Sequence, residues 1–236
     1  MRIPRIFYPF KKEEKNSINI NFAASHHLKV INIKEEQEVE LFNGNGYFFN
    51  AKVIKQNKKN ITLERISDIN FQNKQIPSIN IGVAEIKSFD KVIREVCQSG
   101  IDSISSLKTK KNKFSKLPSE KKIMRWESIA LNSCGQSGLN WVPKIYSSPL
   151  QEWVSLSKSK SKIFLDPKAR NSVQDLELLP SIDLAVGPEG GFSEEEKNFF
   201  KKNNFKGISC GNLTFRTETM PIVALSMIKA LYGVKK

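Results

Sequence analysis

The residues best suited to chemistry stand late in the chain. After the apolar run Ile182-Asp183-Leu184-Ala185-Val186 comes Gly187-Pro188-Glu189-Gly190-Gly191-Phe192-Ser193, followed by Glu194, Glu195 and Glu196. Glycines beside a proline make a sharp turn whose backbone can approach a ligand closely. The segment follows an expected strand and precedes an expected helix, which is where open α/β sheets hold ligands. It is not a P-loop, because no Gly-Lys-Ser/Thr follows. It is not the dinucleotide fingerprint either, because the glycine spacing differs and Pro188 intrudes. By itself it could still be a plain tight turn.

A second segment repeats the logic: Ser209-Cys210-Gly211-Asn212-Leu213-Thr214-Phe215-Arg216-Thr217-Glu218-Thr219-Met220. It runs from a short strand through a glycine loop into a helix. Thr217 is a candidate N-cap, Glu218 a first-turn acid, and Arg216 stands just ahead of them. A capped helix with a surface arginine is the bland alternative. Two such loops on successive strand ends, one helix apart, argue for a shared ligand.

Composition narrows the chemistry. The 236 residues carry 38 Lys and Arg against 24 Asp and Glu, a net charge of +14. Such an excess attracts polyanions, although abundant Lys, Asn and Ile together also suit an A/T-rich coding sequence. The run from Lys108 to Lys122 holds seven lysines and one glutamate. His26 and His27 are the only histidines, so chemistry needing several imidazoles is excluded. Cys97, Cys134 and Cys210 are spaced for neither disulfides nor zinc and read as small buried side chains. No apolar stretch is long enough to span a bilayer and no signal-peptide pattern opens the chain, so a cytoplasmic protein is expected.

These residues need elements to position them. The first part of the chain reads as β-rich. Val39-Glu40-Leu41-Phe42 should meet Tyr47-Phe48-Phe49 across Asn43-Gly44-Asn45-Gly46, and Lys52–Lys55 should meet Asn60–Leu63, which suggests a small barrel. A polar stretch ending at Pro77 marks the boundary between a domain at 1–73 and one at 74–236. Beyond it, strands are expected at Ser78–Ala84, Ile101–Ile104, Lys162–Leu165, Ile182–Val186 and Gly207–Cys210. Helices are expected from Phe89, from Pro118 to about Gln136, after Ser193, and from Thr217 to Leu231. Strands alternating with helices indicate an α/β domain with a largely parallel sheet.

The two glycine motifs, with Arg5-Ile6-Phe7, His26-His27-Leu28-Lys29-Val30 and the stretch from Gln136-Ser137-Gly138 to Val142-Pro143, resemble the E-type small-subunit ribosomal RNA uridine-N3 methyltransferases of the SPOUT class. The resemblance spans nearly the whole chain. It implies an N-terminal PUA-like RNA-binding β-barrel and a C-terminal trefoil-knotted domain built on a parallel sheet. It also implies a homodimer, S-adenosylmethionine as methyl donor, and N3-methyluridine in 16S rRNA as the product, a step of ribosome biogenesis. The cofactor would lie against Leu165, against Gly187, Pro188, Glu189, Gly190 and Gly191, and against the later loop at Cys210, Gly211, Asn212, Leu213, Phe215, Thr217 and Thr219. RNA contacts would come from Arg5, His26, Lys108, Lys110, Lys111 and Lys113, and no metal is implied.

Uracil N3–H is a weak acid, so its proton must leave as the nitrogen displaces a methyl group from sulfonium. Arg216 could stabilise the charge developing on the uracil carbonyls, and Glu218 is a candidate proton acceptor. The chain departs from the family pattern where RNA or a partner subunit would be touched. Leu139 and Leu213 stand in place of arginines, Gly135 in place of a glutamate and Met220 in place of an alanine, while Lys108-Thr109-Lys110-Lys111 replaces Thr-Glu-Arg-Ser. Lysine lacks the planar fork of arginine. An enzyme of this class acting on another RNA, and a non-catalytic RNA-binding relative, are the competing readings. His26-His27 as a helix-end pair, Trp126, Trp141 and Trp153 as core residues, and Lys201-Lys202 as a solvated helix end are the plainer readings of the remaining features.

Overall fold

The computed structural model describes residues 3–11, 15–21, 33–57, 59–112, 116–177, 180–211 and 215–233. The chain divides into two compact units, Met1–Lys74 with Leu131–Val142, and Gln75–Ala130 with Pro143–Lys236. No described helix is long and apolar enough to cross a membrane.

In the first unit the described strands are β1 (Arg5–Phe7), β2 (Ser17–Asn21), β3 (Glu38–Phe42), β4 (Tyr47–Gln56), β5 (Asn60–Arg65) and β6 (Asn70–Phe71). Their order is β1-β3-β4-β5-β2, with β6 beside β4. β1 runs parallel to β3 and the other pairs are antiparallel. The period of two is clear in β2, where Ile18 and Ile20 are buried between exposed Ser17, Asn19 and Asn21. They join Ile6, Val39, Leu41, Phe49, Val53, Ile61 and Leu63 in one core. The expected hairpin joins β3 to β4, with the Asn43 Oδ1 accepting from the N–H groups of Asn45 (2.9 Å) and Tyr47 (3.2 Å). Gly46 has a steric reason to be glycine, since a Cβ there would lie 2.7 Å from the Trp141 indole.

Arg5 ties this unit together. Its Nε donates to Glu40 (2.5 Å), and one terminal nitrogen reaches the carbonyls of Cys134, Gly135 and Leu139, each at 3.2 Å. The other bonds the Asn140 side chain, and the guanidinium lies 4.6 Å from the Phe42 ring centre. A buried arginine is tolerable because its donors are satisfied in this way.

The second unit contains β7 (Ser78–Ala84), β8 (Ser103–Lys108), β9 (Lys144–Pro149), β10 (Ser161–Leu165), β11 (Ser181–Val186) and β12 (Lys206–Ile208). Its helices are α1 (Phe89–Cys97), α2 (Glu120–Ser137), α3 (Leu150–Ser155), α4 (Glu194–Lys202) and α5 (Met220–Tyr232). From Leu131 onward α2 belongs to the first unit. The strands are all parallel, in the order β12-β10-β11-β7-β8-β9. In β11 every residue from Ile182 to Val186 is buried, as expected for a strand covered on both faces.

Three sequence expectations need correction. The strand expected at Ile101–Ile104 instead runs Ser103–Lys108, as β8, and can continue through its serines because they are satisfied inside: Ser103 Oγ donates to Asn80 (2.7 Å) and Ser106 Oγ to Glu85 (3.1 Å). β9 and α3 were not foreseen. β9 holds two serines and Pro149, a poor strand pattern that is acceptable at a sheet edge. The last helix begins at Met220 rather than Thr217. The N–H groups of Thr219 and Met220 both bond to the Arg216 carbonyl at 2.9 Å, forming a turn ahead of the helix, and Thr217 is buried. By contrast α4 starts as expected. Ser193 Oγ accepts from the Glu196 N–H (3.2 Å), and Glu196 accepts in return from the Ser193 N–H (2.7 Å).

Candidate functional site

The two glycine loops come together. A cavity of about 80 Å³ lies at the C-terminal ends of β10, β11 and β12, which are neighbours in the sheet. Its walls are Leu165 to Pro167 after β10, Val186 to Glu189 with Gly191 after β11, Ile208 to Gly211 after β12, and then Phe215, Thr217 and Met220. Gly191 has φ +63 and its N–H closes a turn on the Pro188 carbonyl at 2.7 Å. Nothing lies within 4 Å of where a Cβ would stand on Gly191, so a side chain there would project into open space.

Asp166 gives this cavity a charge. Burial pushes its carboxyl up, but the Lys197 ammonium at 2.9 Å, the Lys168 N–H and the charges of both lysines outweigh that and hold it below the usual range. Lys197 is raised in turn, chiefly by its bond to Asp166. Cys210, after the neighbouring strand β12, has its thiol pushed up to about 11 by burial.

A second cavity, of about 280 Å³, shares Pro188 and Glu189 with the first. Its other walls are Glu85, Ile86, Lys87, Ser88, Lys111, Asn112, Gly190 and Glu218. The start of the lysine run is laid against this region. The Lys110 N–H donates to Glu196 at 2.7 Å, the Lys110 ammonium pairs with Glu195, and Lys111 Nζ donates to the Gly190 carbonyl at 2.8 Å.

Of the expected cofactor residues, Leu165, Gly187, Pro188, Glu189, Gly191, Cys210, Gly211, Phe215 and Thr217 line the first cavity. Gly190 lines the second instead, and Thr219 lines neither but stands at the N-cap of α5. Asn212, Leu213, His26 and Lys113 lie outside the described residues. Glu218 faces the second cavity, whereas Arg216 is exposed and lines neither. Arg5 is turned into its own unit, and Lys108, Lys110 and Lys111 are exposed. Sequence reasoning missed Asp166, Pro167 and Ser209 in the first cavity and Glu85 and Lys87 in the second. All five stand at or just past strand ends, which is the signal that could have found them. Among the described residues no group of His, Cys, Asp and Glu could hold a metal ion.

The chain is similar to known proteins over its full length. It is 29% identical to the ribosomal RNA small subunit methyltransferase E of Buchnera aphidicola from Acyrthosiphon pisum, over 98% of this chain and 95% of that protein. It is 28% identical to the protein of the same name from Mesomycoplasma hyopneumoniae, over 93% and 96% of the two chains. Among solved structures, a Legionella pneumophila chain in complex with the bound cofactor SAM superposes with a TM-score of 0.88, 27% identity and 98% coverage of both chains. The ribosomal RNA small subunit methyltransferase E of Neisseria gonorrhoeae, bound to S-adenosyl methionine, shares the fold with a TM-score of 0.90, 22% identity and full coverage of both chains. A family model described as an RNA methyltransferase PUA domain matches residues 21–64. The model of the RNA methyltransferase domain matches residues 73–229, so the chain belongs to the RNA methyltransferase family, with the α/β SPOUT fold behind a PUA-like N-terminal unit.

Proposed function

We propose that this protein transfers a methyl group from S-adenosylmethionine to N3 of a uridine in small-subunit ribosomal RNA. The observation that carries the reading is the cavity walled by both glycine loops on adjacent strand ends. Names of relatives over nearly the whole chain support the rRNA substrate, and the Legionella structure supports the cofactor. The donor set suits that ligand. Backbone groups of Gly187, Gly191 and Gly211 can bond its polar edges, Leu165, Phe215 and Met220 offer apolar contact to a purine, and Asp166 can accept from hydroxyl or ammonium groups. When bound, the sulfonium supplies an electrophilic methyl group.

The chain's own residues do the rest. Arg216, just ahead of α5, is assigned to the charge developing on the uracil carbonyls, and Glu218 lines the cavity where the base would enter. Lys108, Lys110 and Lys111 are assigned to phosphates. The same reading takes the protein to be a cytoplasmic homodimer whose glycine loops belong to a trefoil knot. Nucleoside mass spectrometry of rRNA from a deletion strain tests it: N3-methyluridine is expected to disappear. Loss of a different methylated nucleoside would favour another RNA position, a reading motivated by Leu139 and Leu213. No loss at all would favour a non-catalytic RNA-binding relative.

A further inference from the structure

The second cavity contains a carboxylate with no task in the reading above. Glu85 follows β7 and is 5% exposed. Its N–H donates to the Leu107 carbonyl (3.1 Å), its Oε1 accepts from Lys122 Nζ (2.5 Å), and its Oε2 accepts from Ser106 Oγ (3.1 Å). A strand, β8, and a helix, α2, therefore fix one buried carboxylate. Each oxygen keeps a further lone pair, and the group lines the cavity together with Lys87, Lys111 and Glu218.

Strand register sets Glu85 beside the cofactor loop. Val83 of β7 pairs with Val186 of β11, and two residues on stand Glu85 and Pro188. Pro188 and Glu189 wall both cavities, so the two adjoin at that loop. The pairing edge of uracil presents a carbonyl, an N–H and a carbonyl. A carboxylate flanked by ammonium groups is its complement, whereas cytosine would offer an unprotonated nitrogen and an amino group.

We propose that Glu85 accepts the N3 proton of the target uracil in this cavity, with Lys87 facing one of the two carbonyl oxygens. The proposal rests on the uridine-N3 reading. The N3–H bond breaks and its proton passes to the Glu85 carboxylate. The nitrogen electron pair forms the bond to the methyl carbon, and the carbon–sulfur pair returns to sulfur, which loses its positive charge. Glu218 lines the same cavity but is partly exposed, and the carboxylate already fixed by protein donors needs less reorganisation as charge moves.

The test compares wild type with Glu85→Gln, Glu85→Asp and Glu218→Gln in single-turnover transfer to unmodified small-subunit rRNA, from about pH 5 to about pH 9. Cofactor affinity and thermal melts are measured on the same preparations. Glu85→Gln is expected to lose roughly 100- to 10,000-fold in rate, to keep cofactor affinity within about threefold, and to speed up steadily with pH because solvent must take the proton. Glu85→Asp is expected to restore part of the rate. Without cofactor, wild type should bind uridine-bearing rRNA about tenfold more tightly than rRNA carrying N3-methyluridine, and Glu85→Gln should narrow that gap. Glu85→Gln with a normal rate and no rise with pH, Glu85→Asp behaving like Gln, an unchanged binding gap, or that rate loss and rise appearing in Glu218→Gln instead would each overturn the proposal. If the wild type itself binds cofactor yet leaves uridine N3 unmodified, the uridine-N3 reading fails first.

Discussion

Lys111 Nζ stands 2.8 Å from the carbonyl oxygen of Gly190. The bond joins the lysine run to the loop that borders both cavities, and the N–H of the preceding residue, Lys110, is held by Glu196. A phosphate that recruits Lys111 must compete with a neutral carbonyl, which is a weak rival for a charged donor.

RNA affinity is therefore expected to depend on these lysines even though they have protein partners. Replacing Lys108, Lys110 and Lys111 with Gln should flatten the logarithmic salt dependence of binding by about 0.7 to 0.9 for each phosphate that is no longer neutralised. Filter binding over a salt series measures it. An unchanged slope would make the run a solvated surface.

Gly191→Val should weaken S-adenosylmethionine binding at least tenfold, or about 1.4 kcal/mol, because it forces a β-branched residue to φ +63 on the cavity wall. Gly190→Val should spare cofactor binding and act on RNA turnover, because Gly190 faces the second cavity and the Lys111 side chain. Calorimetry of both variants separates the two positions.

Arg216→Ala should lower single-turnover methyl transfer by roughly 100- to 1000-fold and leave the cofactor dissociation constant within a few fold, as for a donor that acts in the transition state. Arg216→Lys should rescue only in part, for lack of the fork. Near-normal turnover in the alanine variant would remove Arg216 from the chemistry.

Cys210 should be a slow thiol. With its value near 11 rather than 9.0, its thiolate at pH 8 is about a hundredfold scarcer than that of an ordinary cysteine. Iodoacetamide labelling followed by peptide mass spectrometry should show sluggish modification. S-adenosylmethionine should slow it further, since Cys210 lines the first cavity.

The Asp166–Lys197 pair predicts a pH signature. A carboxyl lowered in the folded state contributes stability that is complete above its ordinary value of 3.8 and is lost as pH falls through the lower native value. Asp166→Asn should cost about 1–2 kcal/mol at neutral pH and much less in strong acid. Urea titrations at both pH values measure the difference.

What could be read in advance depended on how local the cause was. The hairpin at Asn43–Gly46 and the Ser193–Glu196 cap are set by residues within four positions of one another, and both formed as expected. Glu85 was illegible because its meaning comes from Lys122, 37 residues away. Arg5 looked like an RNA contact because nothing nearby reveals that its acceptors stand at Cys134 to Asn140. The first cavity was half legible. Its glycines announced themselves, whereas Asp166 is a single carboxylate after an ordinary strand, and only the sheet order sets β10 between β12 and β11.

The return of Leu131–Val142 to the N-terminal unit bears on how such a protein can be inherited in pieces. A gene fragment ending at Lys74 encodes Arg5 without the carbonyls that receive it, and Gly46 without the indole it makes room for. Recombination that exchanged only the leading segment between relatives would bring together an arginine and a helix end with no shared history. The heritable module is thus discontinuous. It includes a passage of sequence embedded in the methyltransferase reading frame, and the two must drift together.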